Sequence, residues 1–240
     1  IPEGMTVTLD LNGYRLIGVN QDAFIKNQGD LTINDSSAAK TGAIYTTNVE
    51  VQGRHAVENY GVLTINGGTF GDENTDRTDA NLVQRGNALR NFGTATINGG
   101  FFTACDNYVN GGYAYAIANG GGSGEAVMTI NNATVYGRMN GAIASDGGVL
   151  TVNGGTYTLG NGGAGTSYRM VYTSGEGSVV IRGGVFTRNV PNNNAFFGND
   201  GTGKIQIEGG TFENKVTSGG KTDISADCGG LIEISGGNFK

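Results

Sequence analysis

Along most of the chain, apolar residues alternate with polar ones in short triplets, and each triplet runs into a Gly- or Asn-rich bend. The clearest copy is Gly61-Val62-Leu63-Thr64-Ile65-Asn66-Gly67-Gly68-Thr69-Phe70, and the next is Gly93-Thr94-Ala95-Thr96-Ile97-Asn98-Gly99-Gly100-Phe101-Phe102. Further copies end their triplets at Leu11, Ile33, Ile130, Val152, Ile181, Ile207 and Ile234. Successive steps are therefore 22, 32, 32, 33, 22, 29, 26 and 27 residues. A two-residue period predicts a strand with one covered face, so each copy predicts one strand.

A second strand is predicted before each motif, at Ala23-Phe24-Ile25, Ala56-Val57-Glu58, Ala88-Leu89-Arg90, Ala116-Ile117-Ala118, Ala142-Ile143-Ala144, Met170-Val171-Tyr172 and Ala195-Phe196-Phe197. It ends repeatedly in a small polar residue: Asn27, Asn59, Asn91, Asn119, Ser145, Thr173, Asn199 and Asp227. Such side chains bond neighbouring backbone at a tight bend, or bond one another along a stack, and an asparagine ladder is the expected result. The alternative is that Asn merely tolerates the left-handed turn.

Like residues recur at like positions. Leu63, Ala95, Met128, Leu150, Val179, Ile205 and Ile232 form one expected buried column, with Ile65 and its equivalents beside it. Phe70, Phe102, Val135, Tyr157, Phe186, Phe212 and Phe239 form another, after the glycine pair. This predicts a solenoid in which each turn stacks on the last at about 4.8 Å. A β-propeller is the runner-up, but its blades need about 40 residues and four strands. The extra residues of the longer turns belong in loops at one bend.

Composition sharpens the picture. Of 240 residues, 45 are Gly and 2 are Pro, without the strict three-residue period of collagen. With 37% hydrophobic residues and 15% charged, the chain has enough apolar mass for a core. A formal charge of -6 argues against a nucleic-acid partner. No run of 18 apolar residues marks a membrane span. Cys105 and Cys228, 123 positions apart, are read as unpaired thiols. The start at Ile1-Pro2-Glu3-Gly4 suggests a fragment or a processed product of a longer protein.

These repeats resemble right-handed parallel β-helix proteins of the pectate-lyase-like kind, particularly bacterial surface and secreted proteins with Gly-Gly-Thr-Phe repeats. The opening Val7-Thr8-Leu9-Asp10-Leu11-Asn12-Gly13 resembles the first turn of such domains. The resemblance covers nearly the full chain and implies an all-β, single-stranded right-handed parallel β-helix of about nine turns, in one domain spanning residues 1–240. It also implies an extracellular or cell-surface location. It says little about activity, since the fold hosts polysaccharide lyases, glycoside hydrolases, adhesins and phage tail proteins.

Candidate chemistry lies in the insertions. Relatives that hydrolyse pectin carry paired aspartates and a Gly-His-Gly segment, which this sequence lacks; its only histidine, His55, reads as a turn or surface residue. Asp72, Asp76 and Asp79 form the densest acidic segment and are the candidates for a hard cation such as Ca²⁺, with surface solvation as the plain alternative. No other cofactor is expected. Arg77, Arg85 and Arg90 share that insertion's side of the coil, and the next insertion carries Asn107, Tyr108, Asn110, Tyr113 and Tyr115. If the insertions leave at corresponding corners, their rings, amides and guanidinium groups make a patch suited to sugar, with Tyr168 as a weaker addition.

Thr32, Thr64, Thr96, Thr129 and Thr151 form an outward row, explained by β-branching on a strand surface. Flat threonine arrays also occur in some ice-binding solenoids, but those carry paired Thr-x-Thr rows, and Val180, Gln206 and Glu233 end this one. The sequence thus points to a non-enzymatic adhesin-like or glycan-contacting module. A polysaccharide lyase or hydrolase is one alternative; a structural spacer or phage-appendage segment is the other. A polysaccharide or surface glycan is the expected partner, and a neighbouring domain or subunit is expected to cap an end.

Overall fold

The computed structural model describes residues 1–19, 23–47, 55–71, 87–103, 115–121, 125–137, 141–160, 169–191, 195–219, 224 and 226–240. They form a parallel β-solenoid, and the crossover preference of parallel strands makes it a right-handed β-helix. Each turn contributes three short strands to three sheets. Sheet 1 has nine strands, from Thr6–Asp10 to Leu231–Ile234, and holds the repeated motif triplets. Sheet 2 also has nine, from Arg15–Val19 to Asn238–Phe239. Sheet 3 has eight, from Ala23–Asn27 to Ala226–Cys228, and holds the strands that precede each motif.

Register follows the sequence columns. Leu31 pairs with Leu63, Leu63 with Ala95 and Ala95 with Met128; Ile33, Ile65, Ile97 and Ile130 follow in parallel. These side chains are 0–2% exposed. A one-residue slip would turn every apolar residue outward, so the alternation fixes the pairing. In sheet 2 the aromatic column stacks ring on ring. Phe70 and Phe102 lie 4.8 Å apart, Tyr157 and Phe186 4.4 Å, and Phe186 and Phe212 5.0 Å. Val135 separates the two ring stacks, paired with Phe102 on one side and Tyr157 on the other. Tyr157 is fully buried, and its hydroxyl donates to the Gly154 carbonyl at 2.9 Å, which satisfies the one polar atom in that column.

The two glycines of the motif have different tasks. The second has positive φ, as at Gly184 (φ 104°), a conformation that L side chains rarely adopt. The first lies against the backbone of the turn before: a Cβ on Gly183 would stand 2.5 Å from the Asn153 carbonyl oxygen. One therefore turns the chain, and the other lets two rungs approach.

The three corners differ. From sheet 1 to sheet 2 the link is nearly constant, for instance Ile65 to Thr69, Ile97 to Phe101 and Ile130 to Thr134. From sheet 3 to sheet 1 it is also short, as from Asn59 to Val62 and from Asn91 to Thr94. The link from sheet 2 to sheet 3 varies most: Phe70 to Leu89, Thr103 to Ile117, Gly137 to Ile143, Leu159 to Val171. The uneven repeat lengths therefore arise mainly at a single corner.

Candidate functional site

That variable corner holds the residues singled out for ligand contact. Asp72, Asp76, Arg77, Asp79 and Arg85 belong to the link after Phe70; Tyr108, Asn110, Tyr113 and Tyr115 to the link after Thr103; Tyr168 to the link after Leu159. The links after Phe70 and Thr103 border consecutive members of sheets 2 and 3 and so issue from neighbouring rungs; the link after Leu159 issues two rungs further on. All of these residues except Tyr115 lie outside the described residues, as do Asn107 and Cys105. Tyr115 is 3% exposed, its carbonyl accepts the Asn87 amide at 2.7 Å, and its ring lies parallel to that of Tyr172 at 5.7 Å.

Sheet 3 borders the same corner and carries cations against rings. Lys26 Nζ sits 4.9 Å from the centre of the Tyr60 ring, Tyr60 stacks on Phe92 at 4.8 Å, and the Arg90 guanidinium lies 4.9 Å over Phe92. Three rungs beyond Tyr115, Asp200 gathers the Tyr172 hydroxyl at 3.1 Å and Arg169 at 3.3 Å, both from the rung before it, with Arg169 also over the Tyr172 ring. Arg188, fully buried, donates to Asn214 and faces Phe196. Tyr60 and Phe92 follow the ends of their strands, on the side of sheet 1, whereas Arg169 precedes its sheet 3 strand and Arg188 closes a strand of sheet 2, both next to the variable corner.

His55 differs from its expected place. It opens the strand His55–Asn59, is 6% exposed, and its Nδ1 accepts the Asn87 backbone N–H at 3.0 Å. Burial, with the nearby Arg90 charge, pushes its pKa down to about 4, so the ring is neutral over the ordinary pH range. In place of the turn or surface position expected of it, the histidine opens the strand and is covered by the next turn.

Two asparagine rows run along the coil. The inner one is buried: Asn27 Nδ2 donates to Asn59 Oδ1 at 2.7 Å, Asn59 to Asn91 at 2.7 Å, and Asn91 to Asn119 at 2.8 Å. Each of the first three amides also donates to two backbone carbonyls, as Asn59 does to Gly61 and Thr94. Ser145 and Thr173 continue the row through their hydroxyls, and Asn199 through its amide, each bonded to a turn carbonyl. The outer row went unread in the sequence, although its residues stand in the motif. Asn66 donates to Asn34 at 2.8 Å, Asn98 to Asn66 at 2.9 Å, Asn131 to Asn98 at 2.8 Å and Asn153 to Asn131 at 2.8 Å. It lies beside the threonine row, which the register extends back to Thr8.

Among the described residues no group of three or more His, Cys, Asp or Glu stands close enough to hold a metal ion. Among the same residues no helix is long and apolar enough to cross a membrane. The fold and the corner together define a β-helix module with insertions displayed on one edge. No protein-family model, curated protein or solved structure matches the chain.

Proposed function

We propose that this chain is a non-enzymatic module of a cell-surface or secreted protein that contacts glycan through the links between sheets 2 and 3. The observation that carries the reading is the concentration of length variation at one corner of an otherwise regular coil. A solenoid places repeat insertions on one face when that face is used for binding. The composition of these links suits sugar. Tyr108 and Tyr113 offer ring faces for C–H groups, Asn110 an amide for hydroxyls, and Arg77 and Arg85 donors for ring or carboxyl oxygens. The pectate-lyase-like resemblance of the repeats agrees with a bacterial surface origin, and carries no activity with it.

The test is incubation with plant, host and bacterial polysaccharides, following both retention and product release. Saturable binding without new reducing or unsaturated ends is the expected result, weakened by Tyr108→Ala and Tyr113→Ala. Release of such ends, abolished by substitution of Asp72, Asp76 or Asp79, would make the chain a lyase or hydrolase instead. A neighbouring domain or subunit fits the rung where Leu231, Ile234 and Phe239 are 53%, 59% and 40% exposed. A solution mass equal to one chain, with no binding to any polysaccharide, would leave the spacer reading.

A further inference from the structure

The outer face of sheet 1 lies away from the variable corner and has a chemistry of its own. In the turns that begin at Val62, Thr94, Val127 and Val149, the outward residues form three rows: a Val or Thr row, the threonine row and the asparagine row. None of these positions is charged. Val62, Val127 and Val149 are 49%, 44% and 44% exposed, and Asn66, Asn98, Asn131 and Asn153 are exposed as well. Charge borders this patch on both sides: Asp30 stands next to Val62 and Asp10 next to Asn34 in the turns before it, and in the turns after it Arg182 pairs with Glu208 at 3.1 Å and Lys204 with Glu233 at 3.1 Å.

The two asparagine rows are not equivalent. An amide has two N–H donors and an oxygen with two lone pairs. In the inner row the two N–H groups of Asn59 are shared among three acceptors and sealed from water. In the outer row Asn66, Asn98 and Asn131 each use one donor and one acceptor along the ladder. Each therefore retains one N–H and one lone pair directed away from the row. These spare groups repeat at the rung spacing of about 4.8 Å, with hydroxyls and methyls about 7 Å to the side. The ladder bonds already fix the side-chain rotamers, so ordering them on binding costs little.

We infer that this face is a docking surface for a linear, uncharged polysaccharide lying along the coil. The spare amide groups pair with successive sugar hydroxyls, and the exposed valine and threonine methyls meet the C–H faces of the rings. A polyanion would find no cation there. An extended peptide adds to sheet edges rather than faces, and the backbone groups within sheet 1 are already paired between rungs. The inference takes its ligand class from the glycan reading above but assigns a separate surface, one that does not depend on the links.

Retention on insoluble cellulose, chitin and xylan, with pectin as the charged comparator, tests it. The wild-type chain is expected to bind at least one neutral polymer. Asn66→Ala/Asn98→Ala/Asn131→Ala should bind it about tenfold more weakly, with an unchanged melting temperature. Thr96→Lys, which sets a charge in the middle row, should do the same, and Tyr108→Ala/Tyr113→Ala tests the links as the competing site. Wild-type failure on every polysaccharide would overturn the glycan reading itself. Retention that survives both face variants but is lost in the tyrosine variant would overturn this inference and leave the corner as the binding site.

Discussion

Removing one amide from the inner asparagine row separates a structural ladder from a surface one. Asn59→Ala deletes two N–H donors, shared among Gly61, Asn91 and Thr94, and the acceptor of the Asn27 amide. Asn27 keeps its bonds to Gly29 and Val62, so its nitrogen remains satisfied. Asn91 Oδ1 does not: Asn91 is fully buried, and its carbonyl loses the donor at 2.7 Å. A buried orphaned acceptor costs about 1–3 kcal/mol, and each deleted bond contributes about 1 kcal/mol net. The vacated space sits inside a close-packed coil and adds a cavity cost. The total is about 3–5 kcal/mol, which for a chain of this size lowers the melting temperature by about 10 °C. Asn98→Ala deletes two ladder bonds, of 2.9 and 2.8 Å, on the exposed row, where water replaces them, and should stay within about 0.5 kcal/mol. Thermal unfolding by circular dichroism measures both. Hydrogen exchange should show the Asn59→Ala loss concentrated in the turns around Asn27, Asn59 and Asn91, because a solenoid couples neighbours only. Equal shifts for the two variants, or a shift below about 2 °C for Asn59→Ala, would refute the claim that burial makes the inner row structural.

Three further outcomes follow from the same geometry. His55 is held neutral by burial with a folded pKa of about 4 against an ordinary 6.5, so the unfolded chain takes up a proton first as pH falls between those values. Stability present above pH 6.5 should decline by about 3 kcal/mol by pH 4, and His55→Gln should flatten that part of a urea-unfolding profile measured against pH. Gly184→Ala places a Cβ at φ 104°, 3.2 Å from the Gly155 carbonyl oxygen, and should cost about 1–3 kcal/mol in the same assay, more than Ala at Gly67, where φ is not positive and a Cβ would meet nothing nearer than 3.6 Å. Phe102→Ala removes a fully buried ring stacked at 4.8 Å on Phe70 and should cost about 3–5 kcal/mol, with Phe102→Leu well under half of that by calorimetry.

The strands were legible because stacking makes each position depend on its equivalent one turn away. Leu63, Ala95 and Met128 have no near neighbours in sequence to explain their shared character, but they are direct partners in the register. Sheet 2 showed itself only as a column of aromatics, since a strand as short as Thr69–Phe70 has no room for alternation. The outer asparagine row was legible and passed over. Leu63 and Ile65 face inward, so parity alone sends Asn66 outward, just as Val57 inward sends Asn59 inward. The hydrogen bonds of this row need only the stacking that the repeats already imply. His55 was harder. It has no column of like residues, and what buries it is the backbone of Asn87 from the following turn, which no local pattern encodes.

The candidate site resists the sequence for the reason that makes the frame readable. Repeats identify residues whose neighbours are their own equivalents, and such residues answer to stacking: an isoleucine over an isoleucine, a ring over a ring, an amide over an amide. A ligand that is not a repeat of the chain selects residues without equivalents, and Arg77, Tyr108, Asn110 and Tyr168 are of that kind. The flat face of sheet 1 is the exception that the two kinds of reasoning share. Its asparagine and threonine rows repeat because the coil repeats, and a polymer of identical sugars repeats too. Periodicity there matches a periodic ligand, while the corner between sheets 2 and 3, with links of different length on successive turns, suits a ligand that presents a different group at each one.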